Sequence, residues 1–233
     1  MKRMTDIQGA SILVVGATGG LGREISRLLG DRGAVLTLAA RDEARLEALG
    51  IPGSRVAGDV TRPGIPAHMV SSALSAHGKL DGFIYAAGAV AFGTATELSD
   101  EVLERLWQVN TRGWMSLLRE ATPALANSAQ SGGSPFAVTL SGVVAESPTA
   151  GIAAYSAVKS ALHAYGIAAG RELRRSGIRL MDARPGHTET ELSKHPLAGV
   201  APAFPQGLSP DAVATRLVEA IANDEKDLPS SSF

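Results

Sequence analysis

The chain has 233 residues, a formal net charge of −1 and no cysteine. Disulfides, thiolate chemistry and cysteine-based metal sites are thereby excluded, and a large basic surface for nucleic acid is disfavoured. Hydrophobic residues make up 45% of the chain, enough for a sizeable core, yet no run of about 18 apolar residues offers a membrane span.

Residues 1–9 lack the apolar core of a leader. A cytoplasmic protein is expected, with neither nucleic acid nor membrane as partner. Apolar runs at 11–15, 34–39, 55–57, 82–85, 136–140 and 179–182 read as strands. Between them, 23–29, 43–49, 98–118 and 153–175 carry helical spacing. The alternation predicts βαβ units and a single-domain Rossmann fold over residues 1–233, a doubly wound parallel sheet with helices on both faces. Residues 128–134 read as a surface loop by composition. The Pro-, Gly- and Ala-rich stretch 185–210 is long for a connection and is expected to cover a substrate.

The first strand runs into Gly16-Ala17-Thr18-Gly19-Gly20-Leu21-Gly22 and then a helix. Glycines let the backbone turn tightly and approach a pyrophosphate, and the helix start offers unpaired N–H groups. Arg23-Glu24 stands where a Walker-type loop needs Lys followed by Ser or Thr, so that reading fits poorly. The second strand ends in Ala39-Ala40-Arg41, with no carboxylate before Asp42. Folds that prefer NAD usually place an acid there for the ribose 2′-hydroxyl. A guanidinium can instead pair with a 2′-phosphate through two parallel bonds, which points to NADP(H). The competing reading has Arg41 capping the strand end or pairing with a neighbouring acid.

Tyr155 and Lys159 stand four apart near the start of the last long helical segment, hence on one face of a helix. An unperturbed phenol is a feeble acid or base near neutrality, and a nearby cation favours the phenolate. Such a pair suits proton transfer to a carbonyl oxygen. Taken alone, a Tyr-x-x-x-Lys pair is equally a solvated helix face.

Taken together, these pieces resemble the classical short-chain dehydrogenase/reductase family over almost the whole chain. Gly16, Gly20 and Gly22 match its glycine motif, and Asp59-Val60 its adenine-facing pair. Tyr85-Ala86-Ala87-Gly88 resembles its Asn-Asn-Ala-Gly segment, keeping only Ala87 and Gly88. Asn110, Tyr155 and Lys159 match its catalytic residues, and Pro185-Gly186 followed by Thr190 its segment beside the nicotinamide. The resemblance implies that Tyr155 exchanges a proton with the substrate oxygen. Lys159 would bond the nicotinamide ribose and depress the Tyr155 pKa, and Asn110 would hold a relay water. Thr18 and Leu21 would contact phosphates, with Thr188 and Thr190 near the carboxamide and diphosphate.

Two departures stand out. The family's catalytic serine usually lies thirteen residues before the tyrosine, which is Gly142 here, while the serine is Ser141. Either the loop 146–154 carries one extra residue and Ser141 holds the active position, or Gly142 replaces the serine and Ser141 faces away. The first reading is preferred, because bulges are common near active sites, with Ser147 a weaker substitute. The C-terminal Asp227-Leu228-Pro229-Ser230-Ser231-Ser232-Phe233 also lacks the Gly-rich interface strand of many members, which puts the usual tetramer in doubt and leaves a homo-oligomer such as a dimer, or a monomer, open.

The function expected is NADP(H)-dependent hydride transfer to or from a small carbonyl or alcohol. The alternatives are a catalytically silent dinucleotide-binding regulator and a non-redox lyase or epimerase on the same fold. Pocket walls are expected from 90–94, 143–152 and 187–206, mainly small and apolar. His187, His195, His163, Trp107 and Trp114 are assigned to loop or packing roles, and no metal site is expected.

Overall fold

A computed structural model describes residues 5–233; residues 1–4, the start of the segment read as leaderless, lie outside it. Six parallel strands form one sheet: β1 Ser11–Val15, β2 Val35–Ala40, β3 Ser54–Ala57, β4 Gly82–Tyr85, β5 Phe136–Leu140 and β6 Arg179–Ala183. Their order is β3-β2-β1-β4-β5-β6. The order reverses between β1 and β4, and such a switch opens a crevice beyond the carboxyl ends of the strands.

Side chains alternate across the sheet with period two, so the strands feed two cores. Ile12, Val14, Leu36, Leu38 and Val138 face one way, against α1 Gly20–Asp31 and α7 Pro210–Ala222. Leu13, Val15, Phe83 and Ala137 face the other, against α3 Ile65–His77, α5 Gly113–Gln130 and α6 Ala153–Leu173. Both faces are covered, as parallel sheets require. The short α2 Glu43–Glu47 begins behind Asp42, whose carboxylate accepts from Arg45 N at 3.1 Å.

The expected strands all appear, within one residue at each end. The helical reading needs three corrections. The segment 98–118 is not one helix: α4 Asp100–Trp107 passes through a π turn, Gln108–Arg112, into α5, which continues to Gln130. Residues 128–130 therefore belong to a helix rather than a loop, and the Ser128 hydroxyl donates to Asp81 at 2.6 Å. Two helices, α3 and α7, carry no element in the sequence reading. α3 follows Gly64 at φ 81 and its Ala and Ser residues blur the apolar stripe. α7 starts where the expected loop ends, with Ser209 accepting from Ala212 N and Pro210 in the first turn.

At the C-terminus Leu228 makes a single parallel bridge to Ala183, with Leu228 N donating to Asp182 O and Arg184 N to Leu228 O. Pro229 and a short turn at Ser230–Ser232 follow. One bridge thus stands at the β6 edge where a seventh strand would lie.

Candidate active site

The glycine turn sits at the carboxyl end of β1. A Cβ at Gly16 would lie 2.6 Å from Ala87 N, and one at Gly20 would lie 2.7 Å from Thr190 Cγ2. A Cβ at Gly22 would overlap the Gly16 carbonyl oxygen. These glycines are required because the 86–88 segment and Thr190 close on the turn from two sides. The first turn of α1, with Leu21, has no side-chain cap and no acid, so its leading N–H groups stay open to an anion.

Thr18 lies in this turn, and its carbonyl accepts from Arg45 Nη2 at 3.1 Å. Arg45 is absent from the sequence reading; a second basic residue just after Arg41 was its available signal. Arg41 itself lies just past β2 with an exposed side chain. Asp59 accepts from Arg105 at 2.8 Å and from the Thr61 hydroxyl at 2.7 Å, with Val60 buried beside it. Burial pushes the Asp59 carboxyl up, but the bonds from Arg105 and Thr61 outweigh it and hold the pKa at about 2.

Opposite the turn, Asn110 is buried within the π turn. Its Nδ2 donates to Ala89 O and to Leu106 O, both at 2.9 Å, and its Oδ1 accepts from Ala89 N at 3.3 Å. The Thr111 hydroxyl ties the same turn to α6 through Val158 O at 2.9 Å. A Cβ at Gly88 would stand 3.4 Å from Asn110 Oδ1 and 3.9 Å from Lys159 Nζ. The 87–88 segment, Asn110 and Lys159 are therefore neighbours.

Tyr155 and Lys159 lie one turn apart on α6, with Nζ 5.6 Å from the centre of the phenol ring. Nζ donates to Leu140 O at 2.7 Å. Burial lowers Lys159 to about 8, against the opposing pull of the Asp182 charge. Burial also raises Tyr155 to about 12. This corrects the expectation that Lys159 depresses the phenol: in the free protein desolvation of Tyr155 dominates.

Ser141 departs furthest from expectation. β5 and β6 pair without interruption from Phe136↔Arg179 to Leu140↔Ala183, so no bulge re-aims the serine. Its side chain is wholly buried, its hydroxyl donates to Asp182 Oδ2 at 2.6 Å, and its N–H donates to Asp182 Oδ1 at 3.1 Å. The hydroxyl hydrogen is committed there. Gly142 holds the thirteenth position with φ 78 and ψ 165, and a Cβ there would meet only Pro185 O at 3.7 Å. Ser147 is exposed in the following loop.

Pro185 lies beside Gly142, its carbonyl accepting from Val143 N at 2.9 Å. The Thr188 hydroxyl donates to Gly186 O at 3.0 Å, and Thr190 covers Gly20. The strap beyond is closed at its neck by Leu208 N to His187 O at 2.8 Å. It is pinned to the 90–92 segment by Leu197 N to Val90 O at 2.8 Å and by Phe92 N to Ala198 O at 2.9 Å. Phe204 stacks on His187 at 4.5 Å and approaches Phe92 at 6.1 Å. His187 is thus part of an aromatic stack rather than a plain loop residue, a contact between distant segments that leaves no local signal.

His163 and the two tryptophans pack as expected in part. His163 pairs with Asp182 at 2.7 Å. Trp114 is fully buried against Phe83, with ring centres 5.1 Å apart, whereas Trp107 remains partly exposed. Among the described residues no helix is long and apolar enough to cross a membrane.

The arrangement has recognisable relatives. The model of the short chain dehydrogenase family matches residues 10–199. An uncharacterized oxidoreductase of Staphylococcus epidermidis is 28% identical over 195 residues, covering 82% of this chain and 83% of that protein. The dehydrogenase/reductase SDR family member 7B of Bos taurus is 27% identical over 242 residues, covering 95% and 73%. Among solved structures, a 3-ketoacyl-(acyl-carrier-protein) reductase from Brucella melitensis in complex with NADH superposes with TM-score 0.86 at 22% identity, covering 97% of this chain and 99% of that one. A short chain dehydrogenase from Burkholderia cenocepacia in complex with NADP reaches 0.82 at 22% identity, covering 97% and 90%. At that identity the superpositions speak for the fold. The family match, running from β1 into the strap, places this chain in the short chain dehydrogenase family of oxidoreductases.

Proposed function

We propose that this chain is an NADP(H)-dependent oxidoreductase that exchanges hydride with a small, fairly apolar carbonyl compound or its alcohol, with Tyr155 as general acid and base. The observation that carries the reading is the placement of Tyr155 and Lys159 on one face of α6, beside Asn110 and Gly88 and in the same fold as the glycine turn.

The residues fit a dinucleotide. Gly16, Gly20 and Gly22 leave a cradle that side chains would fill, and the start of α1 offers N–H groups to its phosphates. Asp59 and Val60 would border the adenine, and Ala87, Gly88, Pro185, Gly186, Thr188 and Thr190 the rest of its length. Arg41 and Arg45, with Ala40 in place of an acid, favour the 2′-phosphate form. The bound cofactor supplies or accepts the hydride. Tyr155 donates its phenol proton to the carbonyl oxygen in reduction and accepts it in oxidation. Burial holds the phenol at about 12 in the free protein, which keeps it protonated but makes it a weaker acid, so the acid role depends on the Lys159 charge favouring the phenolate as it forms. Lys159 holds the nicotinamide ribose and places a positive charge near the phenol as it ionises. Asn110 holds a water that relays the proton toward Lys159.

With Ser141 turned to Asp182, the substrate oxygen rests on Tyr155 alone, and the open space at Gly142 admits a bulkier group beside it. The strap with Phe204, His187 and Phe92 forms the apolar wall. A silent dinucleotide-binding regulator is the second reading, favoured by that same serine displacement. NADPH oxidation followed against a panel of ketones, aldehydes and quinones separates the two. Turnover with any of them supports the enzyme, and tight NADPH binding with no turnover across the panel supports the regulator.

A further inference from the structure

Ser141, His163 and Asp182 have no part in the reaction as assigned above, yet they enclose one of its residues. Ser141 directly follows Leu140, whose carbonyl accepts from Lys159 Nζ at 2.7 Å. His163 lies one helical turn beyond Lys159 on α6. Both reach the same carboxylate: the Ser141 hydroxyl meets Asp182 Oδ2 at 2.6 Å, its N–H meets Oδ1 at 3.1 Å, and His163 Nδ1 meets Oδ2 at 2.7 Å. The contacts close a ring that runs from Lys159 to Leu140 and Ser141, across Asp182, through His163 and back along α6.

We propose that Asp182 is a positioning residue that clamps the end of β5 to the catalytic helix and so holds the Lys159 ammonium against the Leu140 carbonyl. The inference rests on the assignment of Lys159 to catalysis.

Three observations support it. First, the clamp spans two segments that hold Lys159, the helix that carries it and the strand end that accepts from it. Second, Ser141, Lys159 and Asp182 are all buried, so water does not compete for these bonds. Third, Asp182 is the charged group that opposes the effect of burial on Lys159 and favours its ammonium form. A serine one place before the family's position thereby acquires a role: bonded to Asp182, it fixes the chain that receives the lysine.

The charges around Asp182 are few. From α6 come His163 and Lys159, and from its own strand end comes Arg184, with Nη1 at 3.3 Å from Oδ2. Arg184 is itself held by Asp227 of the C-terminal segment, at 2.7 and 2.8 Å, and by Glu146 of the loop after β5. Arg184 therefore answers two other carboxylates besides Asp182. The Asp182 bond raises the proton affinity of His163, so acid conditions put a cation on that carboxylate and weaken its hold on Lys159.

The test is the titration of Lys159 in the free protein, by NMR on lysine labelled at Cε and assigned with Lys159→Arg, in the parent and in Asp182→Asn. Asparagine keeps the shape and the acceptor for Ser141 N while removing the charge. Lys159 is expected to lose its proton about one pH unit lower in Asp182→Asn, the size of effect that a nearby charge produces. In NADPH-dependent reduction the alkaline limb of kcat should move down with it. kcat near pH 7 should fall about tenfold with KM for the carbonyl little changed, the worth of one hydrogen bond to a charged group. An unmoved Lys159 titration overturns the proposal, as does a loss of kcat with no shift of the alkaline limb. If Asp182→Asn does not fold, Ser141→Ala and His163→Asn carry the same two readouts, each expected to shift them in the same direction by less. If the Lys159 titration shifts while the parent turns over no carbonyl compound, the clamp stands and the catalytic assignment fails.

Discussion

The Tyr85 hydroxyl occupies the space that a side chain at Gly113 would need, and from there it donates to the Val109 carbonyl at 2.6 Å. Val109 precedes Asn110 in the π turn, so the phenol holds the irregular backbone that carries Asn110. Tyr85 is fully buried. Gly113→Ala would drive a methyl group into the hydroxyl. It is expected to destabilise the fold by about 1–3 kcal/mol, the range for an overpacked core. Tyr85→Phe relieves the clash and loses one hydrogen bond, about 1 kcal/mol. Denaturant melts of Gly113→Ala, Tyr85→Phe and the double variant check this. The double variant should be more stable than Gly113→Ala alone; strict additivity would show that the two residues do not share the space.

The proposed choice of NADP(H) rests on two arginines. Arg41→Ala should weaken NADPH binding by about 1.5–3 kcal/mol, the worth of a hydrogen bond to a charged group, and leave NADH binding nearly as it was. Arg45→Ala should act in the same direction and less strongly, since its guanidinium is partly committed to Thr18 O. Calorimetry with both dinucleotides measures this. Equal affinity of the parent for NADPH and NADH would remove the basis for the 2′-phosphate assignment.

Restoring the family's serine at its usual position should not help. Gly142 has φ 78, a backbone conformation that L residues rarely adopt. Gly142→Ser is therefore expected to destabilise the protein by about 1 kcal/mol or more and to leave kcat no higher than in the parent. A tenfold gain in kcat would mean that the turn relaxes and that the site lacks only a hydroxyl.

The two perturbed groups on α6 leave opposite marks on stability. Lys159 is lowered from 10.5 to about 8, so between those pH values the unfolded chain binds more protons than the folded one, and its contribution to stability rises with pH. Tyr155 is raised from 10.0 to about 12, so above 10 the unfolded chain ionises first and its contribution falls as pH rises. Urea unfolding at pH 7, 9 and 10 should show a rise that is absent in Lys159→Met. A parent and variant with the same pH dependence would contradict the burial of a charged lysine here.

Much of this was legible in the chain. Strands buried on both faces, β1, β4 and β5 among them, read as continuous apolar runs, and the more exposed β3 and the partly polar β6 were found beside them. The placing of Tyr155 and Lys159 on one helix face follows from their spacing, and that of the glycine turn from its position between strand and helix. The bond from Ser141 to Asp182 was not legible, because the direction of the serine depends on one residue of register at the end of β5 and Asp182 lies 41 positions away. The stack of Phe92, His187 and Phe204 and the bond from Arg45 to Thr18 are likewise contacts between distant segments. α3 lacks a side-chain cap, and its small residues weaken the helical stripe. α7 had a readable cap in Ser209, masked by the loop-like composition just before it.

The account stands or falls on the Tyr155 phenol. Tyr155→Phe removes one oxygen and leaves the ring, the helix and the glycine turn in place. Steady-state reduction by Tyr155→Phe, measured beside its melting curve and its NADPH affinity, is the most direct test. Melting and affinity should match the parent while kcat falls by about 10²–10⁴, the usual worth of a general acid. Turnover near the parent rate, with folding and NADPH binding intact, would contradict the assigned mechanism.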